Sequence, residues 1–267
     1  MPRRPLARRS LRLSWSDTVA GAELYIGEDV KSFASDWHFH EGWQLVAVTK
    51  GERRYEFKSG TVIAKPGQLV LLPPRLVHRA HCLEGSHTNF RIATLPPDFG
   101  EIIAPATPRV SPSSKHLNVF SSSFESLKAV GEHDTRVSDM FGLHAIFRES
   151  RPVSTLPPSP APAFVLRIEE YLLMVLDRIP SLDALSSLAG VSRYHLSHAF
   201  TKHIGLSPLA FHTRARLIRA RRLIAEGSSL ANASFHLSFT DQSHFGRQFK
   251  MVYGMTPGEY RQSLETV

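Results

Sequence analysis

The sequence predicts an α+β chain: an N-terminal antiparallel β-barrel with appended helices, then a C-terminal all-α domain holding two helix-turn-helix units. Three observations predict this. Residues 22–95 carry short runs rich in Val, Leu, Ile, Tyr and Phe, broken by Gly and Pro. A proline-rich stretch, RPVSTLPPSPAPA, occupies 151–163, and beyond it every apolar period is helical. The expected division is a leader (1–14), a barrel domain (15–150), a linker (151–163) and a helical domain (164–267).

The leader holds five arginines in residues 1–12 and no acid, and reads as a flexible basic tail. In the barrel domain the strand candidates are Gln44–Thr49, Arg54–Lys58, Thr61–Ala64, Leu69–Leu72, Val77–Cys82 and Thr88–Leu95. Lys50-Gly51 and Ser59-Gly60 supply turns between them. From Val119 to Phe147 the period becomes helical, with Phe120, Phe124, Leu127 and Val130 on one face. Val137, Met140, Phe141, His144 and Phe147 form a second stripe, separated from the first by Gly131. Two such helices can act as a lid, a barrel brace or a seam between two copies, so a homodimer through 119–147 stays open.

The 151–163 stretch reads as a semi-stiff linker. Val165, Ile168, Leu172 and Val175 then line one face of a helix that Pro180 is expected to stop.

Two similar units follow. In the first, SLDALSSLAGVSRYHLSHAFTKH (181–203), Ser181 can cap a helix whose Leu182, Leu185 and Leu188 face inward. Ala189-Gly190 permits a tight turn, and Ser192 caps a second helix burying Leu196, Ala199 and Phe200. In the second, LANASFHLSFTDQSHFGRQFK (230–250), Thr240 or Asp241 caps a helix burying Phe245 and Phe249. Both close alike, on Ile204-Gly205-Leu206-Ser207-Pro208 and on Tyr253-Gly254-Met255-Thr256-Pro257. A helix from Pro208 to about Glu226 separates them by about 28 Å, close to the ~34 Å between successive major grooves on one DNA face. Arg214, Arg216, Arg219, Arg221 and Arg222 along it suit contact with a duplex, or simply solvate the helix.

Charge and composition narrow the class. The net charge is +8; residues 164–267 hold twelve basic and eight acidic residues, and the middle of the chain is near neutral. Basic ends flanking a neutral middle favour a polyanionic partner for one part only. One cysteine, Cys82, excludes a disulfide framework and a Cys-rich zinc module, and reads as a small buried hydrophobe. No apolar run approaches the ~20 residues of a membrane helix, and no secretory signal follows the leader. A reduced, cytoplasmic setting is expected.

Residues 164–264 resemble the AraC/XylS family of bacterial transcription regulators across that family's DNA-binding domain. The stretches LAGVSRYHLSHAFTKHIGLSP, RARLIRARRLI and FTDQSHFGRQFKMVYGMTPGEYR carry the resemblance. It implies double-stranded DNA as partner, with Arg193, Tyr194, Ser197 and His198 of the first unit and Gln242, Ser243, His244 and Arg247 of the second facing base edges. Gln242 suits adenine and Arg247 guanine, each by a bidentate pair. Lys202 and Lys250 read as phosphate contacts. One departure stands out: Ser238 precedes Phe239 where the family usually has Gly, and the turn is expected to carry about 1 kcal/mol of strain.

His38-Phe39-His40, then Gln44 and Gly51, resemble the first motif of cupin barrels, and Gly60, Pro66-Gly67, Pro73-Pro74 and His78 resemble the second. The resemblance implies an effector-binding barrel in which His38, His40, Trp43, Gln44 and His78 touch a small molecule. Trp37 and Phe57 are further candidates. Gln44 stands where metal cupins have Glu, so neither metal nor cofactor nor catalytic residue is expected. The leading reading is a regulator, more an activator than a repressor, that binds a small-molecule effector and meets RNA polymerase. The alternatives are a metal-dependent cupin enzyme with a helical accessory domain, or a regulator without effector whose barrel only dimerises.

Overall fold

A computed structural model describes residues 15–18, 22–31, 34–83, 87–95, 107–129, 143–153 and 160–264. The leader, Gly131 and the stripe residues Val130, Val137, Met140 and Phe141 lie outside these, as do residues 154–159 of the proline-rich stretch and the side chains of Leu127 and His144.

The strands are β1 (Trp15–Thr18), β2 (Ala22–Val30), β3 (Gln44–Lys50), β4 (Arg53–Phe57) and β5 (Gly60–Ala64). They continue as β6 (Leu69–Leu72), β7 (His78–Cys82), β8 (Thr88–Thr94), β9 (Arg109–Ser111) and β10 (Arg151–Pro152). Pairing is antiparallel in two sheets, β1-β2-β8-β3-β6-β9-β10 and β5-β4-β7. The six expected strands are present within a residue or two of their expected ends. Alternation along β3 explains the layers: successive side chains point to opposite faces. Val46 and Val48 face inward onto Tyr55, Phe57, Val70 and Phe90 between the sheets. Leu45 and Ala47 face outward, where Phe120, Phe124, Ile146 and Phe147 cover them.

Those outer residues come from α1 (Ser114–Ala129) and α2 (Leu143–Glu149). Phe120 and Phe124 are completely buried against their own barrel. The helices are therefore a brace, and a second copy of the chain would have to use another face of α1. β10 pairs with β9, Arg151 opposite Val110, so the start of the proline-rich stretch is stitched into the larger sheet.

The C-terminal half comprises α3 (Ala163–Met174), α4 (Leu182–Ala189), α5 (Arg193–Ile204), α6 (Pro208–Ala225), α7 (Leu230–His236), α8 (Gln242–Tyr253) and α9 (Pro257–Leu264). α3 buries Val165, Ile168 and Leu172 as its period predicts, but ends at Met174, six residues before Pro180. Val175 leaves the helical region at φ −99° and ψ 82°. Caps close the helices as anticipated: Ser181 Oγ accepts from Ala184 N at 3.1 Å, and Ser192 Oγ from His195 N at 3.2 Å. Asp241, rather than Thr240, caps α8 by accepting from His244 N at 2.6 Å. Gly190, Gly205 and Gly254 end their helices in the left-handed conformation that favours glycine. Leu188 is the exception to the inward stripe, being 45% exposed.

Each helix-turn-helix unit has its own core. Leu185, Leu196, Phe200 and Phe211 anchor the first; Leu217, Phe239, Phe245, Phe249 and Tyr260 anchor the second. The first core also contains Phe39 and Val77 from the barrel, so the two halves are packed together rather than merely joined.

Candidate ligand cavity and nucleic-acid interface

A cavity of about 60 Å³ lies at the mouth of the barrel. Its barrel wall includes Glu23, His38, His40, Gln44, Arg53, Tyr55 and His78. Its other wall is helical: Arg221 from α6, Val252 and Tyr253 from α8, Met255, and Tyr260 from α9. The motif histidines and Gln44 thus meet in one place. Trp43 does not join them. One residue before the inward Gln44, it points to the outer face, edge-on to Phe147 at a centroid distance of 4.5 Å. Phe57 belongs to the inter-sheet core, and Trp37 sits outside the cavity with the Arg79 guanidinium over its ring.

The histidines are held stiffly. His38 and His78 exchange backbone hydrogen bonds, at 2.9 and 2.8 Å. His38 Nδ1 donates to Asp36 O at 2.7 Å and His78 Nδ1 to Leu76 O at 2.8 Å. Gln44 Nε2 lies 2.8 Å from His40 Nε2. Burial drives all three rings toward the neutral form. It pulls His78 down to about 4, and lowers His38 and His40 well below the ordinary value, with neighbouring imidazoles adding to the effect. Burial likewise pushes the Tyr253 hydroxyl up to about 12. His40 Nδ1 and the Tyr253 hydroxyl are buried without hydrogen-bond partners among the described residues.

The arginines of α6 answer a question the sequence left open. Arg221, 4% exposed, pairs with Glu23 of β2. Burial opposes its charge, yet the Glu23 carboxylate holds it protonated, above its ordinary value. Arg214 binds Asp36 at 2.6 Å, Trp37 O at 2.8 Å and Gln248 at 3.1 Å. Arg222 pairs with Glu41 at 2.7 Å. Arg216 reaches back to Leu237 O and Ser238 O, both at 2.9 Å. These four side chains fasten α6 to the barrel and to the second unit, whereas Arg219 stays exposed and pairs with Glu226 at the end of the same helix, at 3.4 Å. Phe39 stacks on Phe211 at 4.5 Å beside them.

Away from this interface, the residues expected to face bases sit on the outer sides of α5 and α8. Arg193, Tyr194, His198 and Lys202 are exposed, as are Gln242, Ser243, Arg247 and Lys250; Ser197 and His244 are half-buried. Tyr194 is 80% exposed and stacks on His198 at 6.0 Å. Arg193 is in ion-pair contact with Asp183 at 3.3 Å. Ser238 adopts φ 52°, the left-handed turn its sequence position foretold, and its hydroxyl donates to Asp177 O.

Residues 21–142 match the model of the AraC-like ligand binding domain, and residues 185–263 match that of a helix-turn-helix domain. The chain belongs to the AraC family. It is accordingly a DNA-binding transcriptional regulator with a ligand-binding domain. An uncharacterized HTH-type transcriptional regulator of Bacillus subtilis, YbfI, is 28% identical over 78% of this chain and 80% of its own. The arabinose operon regulatory protein of Escherichia coli is 22% identical over 84% of this chain and 82% of its own. The fold of this AraC-family chain is shared by ToxT of Vibrio cholerae in its unsaturated-fatty-acid-bound form. The TM-score is 0.66, at 13% identity, over 97% of this chain and 99% of ToxT. No helix among the described residues is long and apolar enough to cross a membrane.

In this AraC-family regulator, sequence reasoning missed Glu23, Arg53, Arg221, Tyr253 and Tyr260 as cavity residues. The partner of Arg221 lies 198 residues away in the chain, beyond any local pattern.

Proposed function

We propose that this regulator reads DNA with the exposed faces of α5 and α8, and that an effector in the barrel-mouth cavity controls how freely those helices reach it. The single observation that carries the reading is the shared wall of the cavity. His38, Gln44 and Tyr55 come from the barrel, whereas Arg221, Tyr253 and Tyr260 come from the helical half. A ligand there touches both halves and so has different affinities for their docked and parted arrangements, the requirement for any allosteric effect.

Arg193, Tyr194, Ser197, His198, Gln242, Ser243, His244 and Arg247 are the base-reading set in this proposal, and Lys202 and Lys250 the phosphate contacts. At roughly 10–15 Å³ per water position, the cavity holds about four to six waters or a ligand of similarly few heavy atoms. This size favours a compact effector over a long acyl chain such as the fatty acid bound by ToxT. The protein is further proposed to be a cytoplasmic activator that meets RNA polymerase and has no catalytic role. Residues 15–153 act as its sensor unit and 163–267 as its DNA-binding unit, with the rest of the expected 151–163 stretch as their linker.

Selection of the full-length chain on random duplex DNA tests the reading. Two short enriched elements about one helical turn apart are expected, one per reading helix. A single element would make the second unit a backbone clamp. No enrichment would overturn the assignment of these helices.

A further inference from the structure

The barrel wall of the cavity is chemically graded along β4 and β7. Arg53 lies opposite Cys82, Tyr55 opposite Ala80, and Phe57 opposite His78, and these alternate residues of β4 all turn inward. The Tyr55 ring stands 6.1 Å from the His78 ring and 5.5 Å from the Arg53 guanidinium. His38 and His40 gather at the His78 end, with centroids 4.5 and 5.4 Å from it. One end of the wall is thus a cluster of imidazoles and the other a guanidinium.

Hydrogen bonds fix what each end offers. The carbonyls of Asp36 and Leu76 can only accept, so His38 and His78 hold their protons on Nδ1 and keep lone pairs on Nε2. The Gln44 amide nitrogen can only donate, so the proton of His40 sits on Nδ1, a buried donor with no partner among the described residues. This end holds acceptors and a donor side by side. A hydroxyl group, which both donates and accepts, serves the two kinds together.

The other end is cationic. The charged groups of the described wall are two guanidiniums, Arg53 and Arg221, and one carboxylate, Glu23, which is paired with Arg221. Beside Arg221, whose guanidinium lies 4.9 Å over its ring, Tyr253 adds a buried hydroxyl without a partner among the described residues. Carboxylates make the shortest and strongest bonds a guanidinium forms, often two at once. A neutral polyol would serve the imidazoles but gain no charge-assisted bond here. A plain alkanoate would do the reverse and leave buried imidazole nitrogens with no donor, which is costly.

We infer that the effector is a short-chain hydroxy acid, its carboxylate held by Arg53 and the Tyr253 hydroxyl and its own hydroxyl by His38 and His78. The inference rests on the cavity being the effector site. The space of about 60 Å³ sets the ligand at about four to six heavy atoms, the size of lactate or 3-hydroxypropanoate. The same carboxylate competes with Glu23 for Arg221, and so loosens a link that holds α6 to the barrel.

The test titrates the full-length protein calorimetrically with both enantiomers of lactate and with 3-hydroxypropanoate. Propanoate, which lacks the hydroxyl, and the amide of the tightest acid, which lacks the charge, are the comparators. One hydroxy acid should bind per chain, and each comparator at least about tenfold more weakly. Equal affinity for the amide would overturn the carboxylate end, and equal affinity for propanoate the hydroxyl end. No binding of any hydroxy acid up to about 10 mM would overturn the class.

Tyr253→Phe should weaken the acid about tenfold without lowering the melting temperature of the ligand-free protein, since the hydroxyl it removes supports nothing in the described fold. A lower melting temperature with unchanged affinity would remove Tyr253 from the site. His78→Phe should bring the hydroxy acid and propanoate to similar affinities. Should that variant fail to fold, the wild-type ligand series still decides the hydroxyl end. His87→Gln, whose ring meets Asp29 outside the cavity, should leave binding unchanged. DNA selection with and without the acid separates the two readings. Specific DNA binding by a chain that takes up none of these acids leaves the regulator standing and removes the ligand class. Uptake that leaves DNA affinity unchanged removes the acid as effector.

Discussion

Arg221, on the helix joining the two helix-turn-helix units, is ion-paired with Glu23 in the second strand of the barrel, and both side chains are nearly buried. A charge out of water is tolerable only while its partner is present. The pair is thus a fastening between the halves, in a place where removal of either partner is costly.

Glu23→Gln should accordingly lower stability by about 3–5 kcal/mol, because it removes the carboxylate opposite a buried guanidinium. The double variant Glu23→Leu with Arg221→Met should be less destabilised than either single change. Urea denaturation of the wild type, Glu23→Leu, Arg221→Met and the double variant measures this coupling; simple additivity would show that the two side chains do not act as a pair.

Arg247→Ala should cost about 1–3 kcal/mol on the preferred DNA site and relax the preference at one base pair. Lys202→Ala should weaken every sequence alike and flatten the salt dependence by about one counterion. Binding titrations at several salt concentrations distinguish the two roles.

Ser238 sits at φ 52° and donates a hydrogen bond to Asp177 O. Ser238→Gly relieves about 1 kcal/mol of left-handed strain and loses a bond of similar net value, so stability should stay within about 0.5 kcal/mol. Ser238→Ala keeps the strain and loses the bond, and should cost about 1 kcal/mol. Thermal unfolding of both variants checks the order.

His212 is buried in α6 and its Nε2 donates to Val175 O at 2.6 Å. Burial lowers its pKa, the bond to Val175 opposes this, and nearby Arg216 adds to the lowering. With the folded value depressed, the unfolded chain takes the proton first as pH falls. The stability contributed by neutral His212 is therefore complete above about pH 6.5 and declines below it. Between about pH 7 and pH 5.5 the wild type should lose more stability than His212→Gln, which keeps a donor for Val175 O. Denaturant midpoints across that range test it.

Much of the architecture was legible because it rests on local chemistry. Gly190, Gly205 and Gly254 end helices where only a left-handed residue fits, and Ser181 and Ser192 begin them with side-chain acceptors. The strands were legible from β-branched and aromatic runs. The His-x-His spacing placed two rings on one face of the barrel, and His78 opposite them. Strand parity was also available: it puts Trp43 on the face away from Gln44. The end of α3 at Met174 was not legible, since Val175 continues the apolar stripe while its backbone has already turned. Nor was the helical wall of the cavity. Arg214 and Arg221 carry the same charge as a DNA contact, and only the fold brings Asp36 and Glu23 to meet them.

The pairing of Arg151 and Pro152 with β9 also limits how far the halves can travel. The barrel holds the chain through Val153, whose N–H donates to Pro108 O at 2.9 Å, and α3 begins at Ala163, leaving the nine residues 154–162 between two anchored points. Fully stretched, nine residues reach at most about 32 Å. Even with every contact at Glu23, Asp36 and Phe39 broken, the DNA-binding half stays on a short leash, at an effective concentration near the millimolar range. Redocking is then an intramolecular event independent of how many copies a cell holds. The regulator's response would be set by a unimolecular equilibrium, and would keep the same threshold whether the protein is scarce or abundant.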